Sequence, residues 1–191
     1  MPLDDDEPHV SRAGLKLDHA LTAMGVDAAG AVCADLGSHV GGFVECLLRR
    51  GATRVYSIDT SYGTLAWKLR RDPRVVVMER TNALHAALPE PVDLVTIDVA
   101  WTRQSKVLAN VFRMLGDGGR VVTLIKPHYE AAPDRLVDGV LPAEEGEAVV
   151  HRVLEDASAA GWTVVATCPS PIPGRAGNRE WFALLRRAGD S

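Results

Sequence analysis

Short runs of aliphatic and β-branched residues alternate with longer stretches of helical spacing along nearly the whole chain. The first run ends in a glycine-rich turn, ADLGSHVGGF, at Ala34 to Phe43. This pattern leaves few folds open. Parallel strands need long, usually helical crossovers, and the sheet they build must be covered on both faces. Strands are predicted at Ala31–Leu36, Arg54–Asp59, Arg74–Glu79, Val92–Val99, Arg120–Lys126, Trp162–Cys168 and Glu180–Arg186. A first helix runs from Ser11, a capping residue, to about Gly25, with Leu15, Leu17, Ala20, Leu21 and Met24 on its apolar face. Further helices follow through Phe43, Leu47 and Leu48 to near Gly51, at Tyr62–Arg70, at Lys106–Leu115 with GDGG as its stop, and at Ala143–Ala160 closed by Gly161. The segments 128 to 141 and 169 to 178 read as loops. The fold class is therefore α/β: a Rossmann-like, seven-stranded, mostly parallel sheet with helices on both faces.

Charge sharpens the picture. The chain has 191 residues and a net charge of −4, and Asp4, Asp5, Asp6 and Glu7 alone carry four negatives. Without them the counts are 21 positive and 21 negative, so the body is neutral, whereas a dedicated nucleic-acid binder is usually basic. Local basic clusters remain at Lys68, Arg70, Arg71 and Arg74 and at Arg175 and Arg179. Residues 1 to 9 are expected to be a disordered acidic tail, and residues 10 to 191 one domain. No apolar run is long enough to span a membrane, and the acidic start is unlike a signal peptide. Cys33, Cys46 and Cys168 lack metal-binding spacing and read as reduced, buried thiols of a cytoplasmic protein, with no metal expected.

The chemistry-bearing residues fall at strand ends. The turn Asp35-Leu36-Gly37-Ser38-His39-Val40-Gly41-Gly42 has the strand–glycine–helix form that brings backbone close to a nucleotide-like ligand. It is neither GxGxxG nor a phosphate loop. Asp59 ends the next strand about 20 residues on, where a carboxylate accepts hydrogen bonds from ribose hydroxyls. Thr81 and Asn82 follow the third strand and are candidates for a base edge. Asp98 ends the fourth strand and Lys126 the fifth. Methyl transfer from a sulfonium needs an in-line nucleophile and a group to take its proton, and a lysine suits that role when a second cation lies near. Lys16 is the candidate second cation, with Asp98 and Glu180 orienting the amines.

Taken in order, VSRAGLKLDHAL, DLGSHVGGFVECLLRRGA, RVYSIDTSYGTLAWKLRRDPRVVVMERTNA, DLVTIDVAW, LIKPHYE and SPIPGRAGNREW resemble the methyltransferase domain of the TlyA-type proteins, within the FtsJ/RrmJ-like group. The resemblance runs from about Val10 to Phe182. It implies S-adenosylmethionine as cofactor, an antiparallel last strand and a Lys-Asp-Lys-Glu tetrad on Lys16, Asp98, Lys126 and Glu180. Cofactor contacts would fall on Asp35, Gly37, Ser38, His39, Gly41, Gly42, Phe43, Asp59, Thr60, Thr81, Asn82 and Asp98. Arg12, Trp101, His128, Tyr129, Arg175 and Arg179 are this chain's own candidates for acceptor contacts. The implied reaction is 2′-O-methylation of ribose in RNA, ribosomal RNA above all. A small nucleoside-like acceptor is the alternative, and a cofactor-binding subunit without catalysis is a third reading. The family usually carries an S4-like RNA-binding module before this region, and none is expected here, so recruitment by a separate protein is a further expectation. The family pattern also changes at Gly37–Gly41, at Ala100-Trp101-Thr102-Arg103 and at Pro127-His128-Tyr129-Glu130, the last two where an acceptor would enter.

Overall fold

The structure is a computed structural model and describes residues 9 to 174 and 176 to 190. Residues 1 to 8 of the expected tail, and Arg175, lie outside the described residues. Helix α1 (Arg12–Ala23) begins where Ser11 accepts a hydrogen bond from the Ala13 amide. There follow β1 (Val32–Leu36), α2 (Gly42–Arg49), β2 (Arg54–Ile58), α3 (Trp67–Arg70), β3 (Val75–Met78), β4 (Val92–Ile97), α4 (Gln104–Val111) and β5 (Leu115–Ile125). A four-residue α5 (Pro127–Glu130), α6 (Ala143–Ala159), β6 (Trp162–Pro169) and β7 (Trp181–Arg187) complete the chain.

The seven strands form one sheet in the order β3-β2-β1-β4-β5-β7-β6. β3, β2, β1, β4 and β5 run parallel, and β7 lies antiparallel between β5 and β6. The order reverses between β1 and β4, and that switch point opens a crevice beyond the carboxyl ends of the strands. Alternation along each strand sends side chains to two separate apolar layers. Leu17 and Leu21 of α1 join Phe43 and Leu47 of α2 on one face. Val107 and Val111 of α4 join Val150 and Val153 of α6 on the other. Each fully buried aliphatic side chain contributes roughly 1.5–3 kcal/mol. This burial, not helix propensity, holds an eight-residue helix such as α2 in place.

Four expectations shift. The helix expected at Tyr62–Arg70 is only Trp67–Arg70, because Asp59 ties down a turn at Ser61 and Glu79 accepts the Gly63 amide. The helix expected at Lys106–Leu115 spans Gln104–Val111, and GDGG lies within β5, where the register with β4 slips between Val92 and Leu94. The segment from His128 holds the short α5 instead of starting as a loop. Of the three thiols, Cys33 and Cys46 are buried but Cys168 is only half-buried.

Helix α1 is seated on α2 by a contact only glycine permits. A Cβ on Gly42 would strike the Ser11 hydroxyl, and would lie 2.9 Å from both the Ala13 methyl and the Gly14 amide. Below it, fully buried Glu45 accepts the Val10 amide at 2.7 Å and pairs with Lys68 at 2.8 Å. Burial alone would raise the Glu45 pKa, but hydrogen bonds from Lys68, Val10 and Arg49 outweigh it and hold the carboxyl below its ordinary value. The N-terminal helix is thus fixed at the rim of the crevice, with Lys16 buried on its inner side.

Candidate active site

Beyond the strand ends lies one cleft of about 1140 Å³. Its walls come from α1 and from the segments following β1, β2, β3, β4, β5 and β6. At one end, Gly37 turns the chain out of β1 with φ +91°. A Cβ there would sit 2.5 Å from the carbonyl oxygen of Asp98, so the glycine lets this turn lie against the end of β4. The sequence reading gave the glycines to close approach of a ligand; the structure shows each of them in a close contact within the protein as well, and Gly37 also lines the cleft. A Cβ on Gly41 would run into Leu65 and Leu69, and Gly42 meets α1. Phe43 packs against Phe182 with ring centroids 6.1 Å apart.

Asp59 is at the centre of this end. Its Oδ2 accepts the His39 amide at 2.8 Å, and its Oδ1 accepts the Ser61 amide and hydroxyl at 2.7 and 2.6 Å. Burial would raise its pKa, but these hydrogen bonds win and keep the carboxylate ionised below its usual value. Asp35 is the opposite case. It is fully buried, accepts the Thr96 hydroxyl at 2.8 Å, and its pKa is pushed up to about 8. Burial is the main cause, with the charges of Asp98 and Asp59 adding to it against the Thr96 bond. Gly37, His39, Asp59, Thr60, Thr81, Asn82 and Asp98 line the cleft; Asp35, Ser38, Gly41, Gly42 and Phe43 stand behind it.

At the other end, Lys16, Asp98, Lys126 and Glu180 all face the same space. They form two ion pairs: Lys16 Nζ to Glu180 Oε2 at 2.6 Å and Lys126 Nζ to Asp98 Oδ1 at 2.5 Å. The first pair is buried and joins residues 164 apart in sequence; the second is half-open. Beside them Trp101 is 86% exposed, with its ring 4.8 Å from that of Tyr129, and the His128 ring lies 4.2 Å from that of Tyr129. Burial first, and the Lys126 charge second, push the His128 pKa down, so the imidazole is neutral at pH 7.

His39, Arg80 and Trp101, which follow β1, β3 and β4, have left-handed backbone with φ of 47°, 53° and 58°. Such a conformation costs a non-glycine residue roughly 1–3 kcal/mol and collects at functional edges. No pattern in the sequence announces it.

The acceptor candidates divide. Arg12, Trp101, His128 and Tyr129 line the cleft, whereas Arg179 is exposed away from it. The first basic cluster is committed elsewhere: Lys68, Arg70 and Arg74 pair with Glu45, Glu79 and Asp72. The sequence reading passed over Gly139, Gly174 and Asn178, which also line the cleft. The available signal for the last of these was an asparagine directly after a glycine in the Pro- and Gly-dense loop that precedes Glu180.

A parallel sheet with one antiparallel strand, a glycine turn after β1 and an acid after β2 define the class: Rossmann-like, S-adenosylmethionine-dependent methyltransferases. Residues 9–187 match the model of the FtsJ-like methyltransferases, and the chain belongs to that family. It is 40% identical to the 16S/23S rRNA (cytidine-2′-O)-methyltransferase TlyA of Mycobacterium tuberculosis, over 98% of this chain and 72% of the relative. It is 33% identical to Hemolysin A of Brachyspira hyodysenteriae, over 92% of this chain and 75% of the relative. A solved structure of a Lactococcus lactis protein described as a hemolysin superposes with a TM-score of 0.89 at 36% identity, covering 93% of this chain and 88% of that one. Among more distant folds, Aeropyrum pernix fibrillarin, solved with S-adenosylmethionine bound, has a TM-score of 0.62 at 19% identity and covers 87% and 74%. Among the described residues no helix is long and apolar enough to cross a membrane.

The residues present fit that cofactor. The cleft has room for a nucleoside and an amino acid end to end. Asp59 is ionised and fixed on three donors, as a ribose-binding carboxylate must be, and His39 and Val40 line the cleft beside it.

Proposed function

We propose that this chain methylates a ribose 2′-hydroxyl in ribosomal RNA, with Lys16, Asp98, Lys126 and Glu180 as the working tetrad. The observation that carries the reading is the gathering of these four residues, from four separate segments, into one cleft as two ion pairs. Bound S-adenosylmethionine would supply a methyl group activated on a sulfonium, and Asp59, Thr60, Thr81 and Asn82 are positioned to hold its nucleoside half. Lys126 Nζ receives the acceptor hydroxyl. The methyl carbon would leave the sulfonium sulfur as it bonds to the hydroxyl oxygen, and the proton freed there would pass to the Lys126–Asp98 pair, whose charged atoms lie 2.5 Å apart. Lys16 and Glu180 are more buried and fix the wall against which the ribose rests. The aromatic group Trp101, Tyr129 and His128 gives an exposed base a stacking surface.

RNA as acceptor is supported by the relative from M. tuberculosis, whose name states that chemistry at 40% identity. Release of S-adenosylhomocysteine should be measured with ribosomal RNA, with free nucleosides and with neither. Release with ribosomal RNA alone is expected. Release with nucleosides, and none with RNA, would overturn the reading and favour a small acceptor.

A further inference from the structure

The loop that ends in Glu180 contains two residues whose contacts reach the tetrad without belonging to it. Gly174 faces the Glu180 side chain: a Cβ built on it would lie 2.6 Å from Glu180 Oε1 and 3.3 Å from Cδ. Its backbone φ is not among the left-handed ones, so glycine is not required there for its torsions. What requires it is the space taken by the carboxylate. Asn178 is 3% exposed and holds the same loop to a second one. Its Oδ1 accepts the Leu141 amide at 2.9 Å, its Nδ2 donates to the Gly139 carbonyl at 3.0 Å, and its own carbonyl accepts the Gly174 amide at 2.9 Å. Gly139, Gly174, Asn178 and Glu180 all line the cleft.

We propose that Gly174 and Asn178 are positioning residues that set the Glu180 carboxylate against Lys16 and close the roof of the acceptor end. This rests on the tetrad reading above and extends it to residues that touch neither methyl donor nor reacting oxygen. Asn178 fixes the spacing of the two roof loops, and the Gly174 amide, held on the Asn178 carbonyl, fixes how near the loop comes to Glu180. The absent Cβ of Gly174 then leaves Oε1 its place, with Oε2 directed to Lys16 at 2.6 Å. A methyl group at 174 clashes with the movable end of a side chain and meets backbone, the Asn178 carbonyl, only at an ordinary contact distance of 3.6 Å. The chain therefore folds, and it is the carboxylate that gives way.

The test is a double-mutant cycle with Gly174→Ala and Glu180→Gln, read as kcat and acceptor KM on ribosomal RNA, beside calorimetric cofactor affinity and thermal melting. Gly174→Ala alone is expected to lower kcat about tenfold or more, with cofactor affinity within twofold of the parent and a melting curve near that of the parent. In the Glu180→Gln background, where the charge is already gone, adding Gly174→Ala should change kcat less than twofold. Asn178→Ala should raise acceptor KM and lower kcat together, again sparing the cofactor, and Asn178→Gln should not restore either. Equal losses from Gly174→Ala in both backgrounds would mean a merely structural effect and would overturn the proposal. So would unchanged kcat for Gly174→Ala while Glu180→Gln is impaired. If Glu180→Gln itself turned over like the parent, the tetrad reading would fail first, and this proposal with it.

Discussion

The two ends of the cleft are built by different means. The end at β1 and β2 is assembled from the turns that follow two consecutive strands: Asp59 accepts from His39 and Ser61, and Gly37 and Ser38 donate to the Ile58 carbonyl at the end of β2. Its charge is fixed on hydrogen bonds to backbone and hydroxyls. The opposite end is assembled from distant segments: Lys16 reaches Glu180 across 164 residues, and Trp101 and Tyr129 meet from either side of α4 and β5. Its charges are held by one another, and Trp101 sits exposed on left-handed backbone. The first end is thus preorganised by local folding and suits a constant ligand. The second depends on long-range packing and is the end proposed to select the acceptor.

Substitutions should separate the ends. The largest effect belongs to Lys126→Ala, which removes the proton acceptor and is expected to lower turnover by about 10²-fold or more, as loss of a general base does. Unchanged turnover on ribosomal RNA would end the assignment of Lys126. Gly37→Ala should damage both ends, because its Cβ would meet the Asp98 backbone and its φ of +91° disfavours a side chain. A stability loss of about 1–3 kcal/mol is expected in denaturant titration, together with weaker cofactor binding. If only binding changed, the glycine would be there for the ligand after all. Asp59→Ala should cost the cofactor about 1–3 kcal/mol in calorimetry, yet leave kcat at saturating cofactor near the parent value. A fall in kcat at saturation would break the division between the ends.

The smallest effect is a pH dependence. Asp35 has a folded-state pKa raised to about 8, so the folded protein holds its proton where the unfolded chain has lost it. Its contribution to stability is complete below the ordinary aspartate value. It shrinks as pH rises from there and is gone above about 8. Melting temperatures between pH 6 and pH 9 should fall more steeply for the parent than for Asp35→Asn. Parallel curves would show that Asp35 ionises freely in the folded state.

Much of this was legible in the sequence, and the exceptions have physical reasons. Every strand but β5, which begins at Leu115 instead of Arg120, and most helices lie within a few residues of where apolar spacing puts them, because that spacing is what buries them. The tetrad is found together because strand ends and flanking motifs of this fold converge on one edge. Asp35 was expected at the ligand, but sequence alternation gives the face of a strand residue and not its depth. Gly41 and Gly42 were misread because a glycine that clears a ligand and one that clears Leu69 or Ser11 look the same in sequence. Lys68, Arg70 and Arg74 looked free until their carboxylates came near in space, and for Lys68 the partner is Glu45, 23 positions away. Asn178 escaped notice since its partners, Gly139 and Leu141, lie across α6 and β6.

The most direct test is where the methyl group goes. Ribosomal RNA incubated with the protein and S-adenosylmethionine carrying a labelled methyl group should be digested to nucleosides and read by mass spectrometry. The label is expected on the ribose of a 2′-O-methylated nucleoside, and it should be lost with Lys126→Ala. Label on a base, or label on ribose undiminished by Lys126→Ala, would contradict the tetrad as the site of transfer.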